Sequence, residues 1–218
     1  MRIAIYATLC LWLVLVANAV RAAEAPIIAA AAANDMAAVN QMISSGAEIE
    51  ARDAQGRTAL LAATHANAIE AARLLIEAGA DVNAMDQIQD SPYLYAGAEG
   101  RLEILRMTLA AGADLASVNR YGGTALIPAA HHGHVETVRL LLTTKTDIDY
   151  VNSLGWTALL EAIILGDGGA AHTEIVRLLV GAGADVDISD ADGISPLTHA
   201  KRQGYAKIIA ILKKGGAR

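Results

Sequence analysis

Three imidazoles crowd together at His131, His132 and His134, and a carboxylate interrupts the apolar run Ala158-Leu159-Leu160-Glu161-Ala162-Ile163-Ile164. An imidazole facing a carboxylate can move protons, and imidazoles around an open position can hold zinc. His131, His132 and Glu161 are therefore the catalytic group, hydrolytic or metal-dependent, that the residue types allow. The histidine cluster has no carboxylate close by in sequence to complete a metal site. Asp167, in the Gly-rich stretch Asp167-Gly168-Gly169, is a single ligand and too few for calcium. The chain contains no Gly-x-x-x-x-Gly-Lys-Ser/Thr phosphate loop, no Gly-x-Ser-x-Gly elbow and no His-Glu-x-x-His zinc helix. No metal or cofactor is expected, and catalysis is unsupported by any motif.

Whether those side chains meet depends on elements that recur along the chain. Thr58-Ala59-Leu60, Ser91-Pro92-Tyr93, Thr124-Ala125-Leu126 and Thr157-Ala158-Leu159 are spaced by 33 residues, and Ser195-Pro196-Leu197 follows after 38. Gly46-Ala47-Glu48, Gly79-Ala80-Asp81, Gly112-Ala113-Asp114, Lys145-Thr146-Asp147 and Gly183-Ala184-Asp185 keep the same intervals. Ala25-Pro26-Ile27-Ile28 fits the first register weakly and adds a unit. A fixed period of this size marks a solenoid of stacked units. Six are read, over residues 24–53, 54–86, 87–119, 120–152, 153–190 and 191–218.

Within a unit the signals are those of two short antiparallel helices. In Gly122-Gly123-Thr124 a turn leads to a residue that can cap a helix N-terminus, an apolar run follows, and Gly133 ends it. Apolar residues at 135, 138, 141 and 142 then keep helical spacing, with Glu136 and Arg139 on the other side. Segments such as Ala80-Asp81-Val82-Asn83-Ala84-Met85-Asp86 are extended and turn-rich. Thr-Pro-Leu-like openings, a Gly nine residues on, paired Leu in the second helix and Gly-Ala-Asp-Val-Asn at its end resemble the ankyrin repeat. The resemblance spans nearly everything after residue 23 and implies an all-α ankyrin-repeat solenoid with hairpin-like loops.

That resemblance implies that binding uses the concave side, made of loop tips and the exposed edges of the first helices. The tips carry Arg57, then Ile88 and Asp90, then Arg120 and Tyr121, then Leu154 and Trp156. The first-helix ends add Glu99, His131, His132, Ile164 and Leu165. Trp156, Tyr121, Leu154 and Ile88 are expected to form a projecting patch, since aromatic and Arg anchors are enriched where proteins bind one another. His134 is expected to begin a second helix and to bond nearby backbone. Tyr95, Pro128, Glu161 and His199 stand where a first helix normally has a Leu-like residue facing inward. Glu161 must see solvent or find a donor, expected to be a backbone or hydroxyl group of a neighbouring unit. The five residues that lengthen the last interval, 167–171, form either a plain surface insertion or a loop over the groove built on Asp167, Gly168 and Gly169.

The two ends differ from the interior. Unit one has Asn34-Asp35 where Gly is expected. Unit six carries Lys201, Arg202, Lys207, Lys213 and Lys214, as suits a polar terminal cap. Ahead of the repeats, Arg2 and the apolar stretch to Val16 read as a secretory signal peptide over residues 1–22, with small residues at Ala17, Ala19 and Ala22 before possible cleavage points. An uncleaved anchor is the alternative. The mature part, 23–218, would have no cysteine and would keep 15 basic against 23 acidic residues. An acidic exported protein is a poor binder of nucleic acid or anionic lipid. Hydrophobic residues make up 54% of the chain, yet Phe is absent and aromatics are 4%; thin layers of Ala and Leu stack closely without them.

The reading is a non-enzymatic scaffold, monomeric, that holds a protein partner in the groove of units two to five. The bacterial periplasm is the expected location, with extracellular release or a membrane-held leader as alternatives. Its similarity to small exported bacterial ankyrin proteins implies a stress-protective or enzyme-supporting role. An enzyme using His131, His132 and Glu161, and a self-associating structural protein, are the competing readings.

Overall fold

The computed structural model describes residues 25–218. The expected signal peptide lies outside the described residues. Among those described there are twelve helices and no strand, paired in six helix-turn-helix units. The pairs are α1 (Pro26–Ala32) with α2 (Met36–Ser44), α3 (Ala59–His65) with α4 (Ile69–Glu77), and α5 (Pro92–Ala98) with α6 (Leu102–Ala110). They continue as α7 (Leu126–His131) with α8 (Val135–Leu141), α9 (Ala158–Ile164) with α10 (Ala170–Gly181), and α11 (Pro196–Gln203) with α12 (Ala206–Lys214). First helices stack on first helices and second on second, so one buried seam runs from Ile27 to Leu212. None of the described helices is long and apolar enough to cross a membrane.

The caps form as the sequence predicts in four units. Thr58, Ser91, Thr157 and Ser195 each accept the N–H three residues on, from Leu61, Leu94, Leu160 and Thr198. Thr124 departs from this. Pro128 sits four residues after it and has no N–H for the Thr124 carbonyl, which instead accepts from Ile127 at 3.2 Å. Ile127 is the residue that would have bonded the hydroxyl, so Thr124 Oγ1 is buried without a partner and α7 starts only at Leu126.

The second helices also have one exception. Gly79, Gly112 and Gly183 take φ of +91°, +90° and +96°, and the N–H after each reaches back to Leu75, Thr108 and Leu179 to close the helix. Unit four has Lys145 at this position, outside the left-handed region. Its helix α8 is shorter, and the hydroxyls of Thr143 and Thr144 take the last carbonyls, Leu140 and Leu141, at 2.7 and 2.6 Å. In unit one, Asn34 does the work expected of Gly with φ +54°, while Asp35 caps α2 by accepting from Ala38 at 3.0 Å. Lys201, Arg202, Lys207, Lys213 and Lys214 of unit six are exposed, as is Arg218, leaving a polar end face.

Polar rungs join successive units. Glu50 accepts from Asp81 N–H, Asn83 from Asp114, Asp149 from Asp185, and Asp187 from Arg218. The corresponding residue between units three and four is Ala116, which has no acceptor. A second set lies at the start of the second helices, where His172 Nε2 bonds the His131 carbonyl at 2.8 Å and Tyr205 Oη donates to Gly166 at 2.8 Å. His134 holds the matching place, but the Ala98 carbonyl it faces is taken at 2.7 Å by His132 Nδ1. His134 also meets that carbonyl, as expected of it, so two imidazoles share one acceptor.

The caps make a differential prediction. Thr157→Val, which removes a used cap, should lower unfolding free energy by about 1 kcal/mol in urea titration. Thr124→Val, which removes an unpaired buried hydroxyl, should leave stability unchanged or raise it. Equal losses in the two variants would overturn this account of unit four.

Candidate interaction site

Each finger between units is closed by one acidic or amide side chain. Asp53, Asp86, Asn119, Asn152 and Asp190 each accept two backbone N–H groups, from the residues two and four positions on, at 2.8–3.0 Å. Such a turn uses only one terminal atom of the side chain. The other atom is left to aim elsewhere. Asn152 Nδ2 donates to Glu161 Oε1 at 2.8 Å, and Asp190 Oδ2 bonds His199 Nε2 at 2.7 Å. The finger base thus holds the unusual side chain of the first helix that follows it. The partner of Glu161 does come from the neighbouring unit, 120–152, but it is a side-chain amide, a correction to the expected backbone or hydroxyl group.

Glu161 is 6% exposed and lies at the wall of a cavity of about 410 Å³ formed by units three to five. Burial pushes its carboxyl above the usual range, against the opposing pull of Asn152 and of His132. His131 Nδ1 stands 3.7 Å from Glu161 Oε2, and the His131 and His132 rings are 4.6 Å apart between centroids. Burial, and then the neighbouring His132 and His172, hold His131 below the usual imidazole range. Arg120 pairs with Asp90 at 3.4 Å and lies 5.0 Å over the Tyr121 ring. Burial raises the Asp90 carboxyl, with Arg120 pulling the other way.

Nine of the residues read from sequence as partner-binding share this cavity: Asp90, Glu99, Arg120, Tyr121, His131, His132, Leu154, Glu161 and Leu165. Tyr121, Leu154 and Leu165 are large and 55, 50 and 43% exposed. The catalytic group His131, His132 and Glu161 does come together. Its surroundings contain no serine, threonine, cysteine or lysine to act as nucleophile. Among the described residues no three His, Cys, Asp or Glu side chains converge as metal ligands.

Four expected residues lie elsewhere. Arg57 turns back on its own finger, donating from Nε to Asp53 at 2.7 Å. Trp156 holds the same finger position. It is half-buried and off the cavity, its backbone N–H bonded to Asn152. This corrects the expected projection of Trp156 alone; Tyr121, Leu154 and Ile88 of the same patch are exposed. Ile88 is exposed but belongs to an earlier finger, and Ile164 is half-buried beside the site. The insertion does not cover the groove either. Asp167 bonds Gly169 N–H and His172 Nδ1 at 2.8 Å each, and the loop is wedged against the Tyr205 ring, so these residues lock α10 to unit six. Tyr95, read only as an inward substitution, is in the cavity and stacks on His65 at 3.8 Å. Asn119 and Asn152 were not singled out by sequence; the signal was amide in place of carboxylate in the register 53, 86, 119, 152, 190.

The family model described as "Ankyrin repeats (3 copies)" matches residues 2–86, 27–119 and 93–190. The chain is similar to a solved ankyrin repeat domain from Acinetobacter baumannii AYE, at 58% identity and TM-score 0.87, covering 90% of this chain and all of that one. It is similar to the ankyrin repeat protein EF0377, at 43% identity and TM-score 0.84, covering 88% and 98% of the two chains. The ankyrin repeat domain of Bcl-3, titled a unique member of the IkappaB protein family, aligns at 28% identity with TM-score 0.80 over 89% and 87%. A putative ankyrin repeat protein of Escherichia coli K12, YahD, is 40% identical over 57 residues; the match covers 26% of this chain and 28% of that protein's length.

The raised Glu161 carboxyl fixes the sign of a pH effect. A group whose folded pKa is above its unfolded value stabilises the fold when protonated and loses that contribution as pH rises through the folded pKa. Glu161→Gln should therefore be more stable than wild type at neutral pH in urea unfolding, with the gap closing as the solution is acidified toward the ordinary carboxylate range. A variant less stable than wild type at neutral pH would contradict this.

Proposed function

The chain belongs to the ankyrin-repeat family, and on that premise we propose that it is a non-enzymatic, exported scaffold that holds a protein partner in the groove of units three to five. Ankyrin repeats are in general protein-protein interaction modules. The observation that carries the reading here is the cavity between fingers and first helices, rimmed by Tyr121, Leu154 and Leu165, three of the large hydrophobic side chains that stay exposed. The leader-like residues 1–22 and the absence of cysteine after Cys10 support a periplasmic location. Within that compartment the scaffold protects or supports the protein it holds, and it acts as a monomer.

A catalytic alternative has one observation in its favour, the approach of His131 to Glu161 at 3.7 Å. That spacing is longer than a hydrogen bond. The cavity lining holds no serine, threonine or cysteine beside it.

The scaffold reading expects a partner captured from periplasmic extract by wild type to be lost, by about tenfold or more in retained amount, with Tyr121→Ser and Leu154→Ser combined. Retention of the same proteins by both would remove the groove assignment. Cell fractionation should find the protein in the periplasm and, once residues 1–22 are deleted, in the cytoplasm. Concentration-dependent sedimentation of the purified chain would favour self-association instead.

A further inference from the structure

The cavity lining is unbalanced in charge. Asp90, Glu99 and Glu161 contribute carboxylates, and Arg120 is the sole guanidinium or ammonium group among the lining residues. Arg120 is engaged by Asp90 and by the Tyr121 ring. The imidazole nearest Glu161, that of His131, is held below its usual range and is neutral at neutral pH. Glu161 therefore faces no guanidinium or ammonium group of its own chain, only the imidazoles of His131 and His132.

Its hydrogen bonding is also half complete. Oε1 accepts from Asn152, whereas Oε2 accepts no hydrogen bond among the described residues, although the side chain is only 8% exposed. Oε2 is not sealed from solvent, so an incoming group can reach it, while an ionised carboxylate with so little water and no counter-charge is costly to keep. Carboxyls perturbed in this way concentrate at functional sites. The cavity is large enough for a side chain and its adjoining backbone. Its walls suit an aliphatic stem, with Ile127, Pro128, Leu154 and Leu165 apolar.

We propose that this cavity is the receptor for a single cationic side chain, a lysine or arginine presented on the surface of the bound protein, with its charge against Glu161 Oε2. The assignment rests on the scaffold reading and specifies the chemistry of the partner. The excess of 23 acidic over 17 basic residues in the whole chain draws a basic surface toward the groove in the same sense. The occupant completes the carboxylate that Asn152 half satisfies.

Titration of the purified protein with Nα-acetyl-lysine amide, its arginine counterpart and its norleucine counterpart, followed by NMR at the Tyr95, His131 and Asn152 side chains, tests this directly. Norleucine keeps an aliphatic stem and lacks the charge. Both cationic probes should give saturable shifts, and norleucine should bind about tenfold more weakly or worse. Glu161→Gln should remove that preference. Its fold is checked by the dispersion of its own NMR spectrum. Equal binding of norleucine, a preference that survives in Glu161→Gln, or no saturable shift with any probe would each overturn the proposal. A partner lost with Tyr121→Ser and Leu154→Ser while lysine shows no preference would leave the scaffold standing and remove this pocket. A lysine preference without any groove-dependent partner would do the reverse.

Discussion

No helix pair in this chain can hide its apolar side alone, and the architecture follows from that. The helix α3 has Ala59, Leu60, Leu61, Ala62, Ala63 and Thr64 all buried, which a free two-helix unit cannot achieve. Burial is completed by the helices on either side, and close approach requires small residues. A methyl added at Gly97 would lie 2.8 Å from the Ala125 methyl of the next unit. Stacking of this kind excludes bulk at such contact points, although Tyr93 finds room elsewhere in the seam. Large side chains without a place in it are displaced to the fingers and the open edges of first helices, and so the demand that creates the fold also creates the recognition surface.

The fingers carry the second half of the design. One Asp or Asn closes each turn with a single terminal atom and has another to spare. Where the spare atom is an amide nitrogen, as in Asn152, it can hold a carboxylate; where it is a carboxylate oxygen, as in Asp190, it holds His199. An aspartate at 152 would set two carboxylates against each other, so asparagine there and glutamate at 161 are a matched choice. The turn that shapes the groove thus also tempers the upward push that burial gives the groove's most buried acid.

Much of this was legible in the residues. The two registers at 33-residue spacing identify the units, the Thr and Ser caps and the polar terminal face, because period and capping chemistry are local properties. Nine cavity residues could be named from their place in the unit. What failed was local competition between neighbours. Pro128 takes the cap away from Thr124 by removing an N–H four residues on, and the finger turn draws Trp156 inward although its size suggested projection. The insertion was ambiguous because its role depends on Tyr205, in the following unit. Asn152 escaped notice since asparagine in place of aspartate, as also at 119, looks like drift until Glu161, nine residues on, is seen beside it in space.

The join between units three and four is unlike the others. Ala116 offers no rung there, and the ties that cross it from the groove are Arg120 with Asp90 and His132 with the Ala98 carbonyl. In a linear stack, rigidity is only as continuous as its sparsest joint. Here that joint is riveted by side chains that also line the cavity. Flexing of the two halves of the solenoid and access to its groove are consequently governed by the same few bonds, which makes bending stiffness of this molecule a property of its recognition surface.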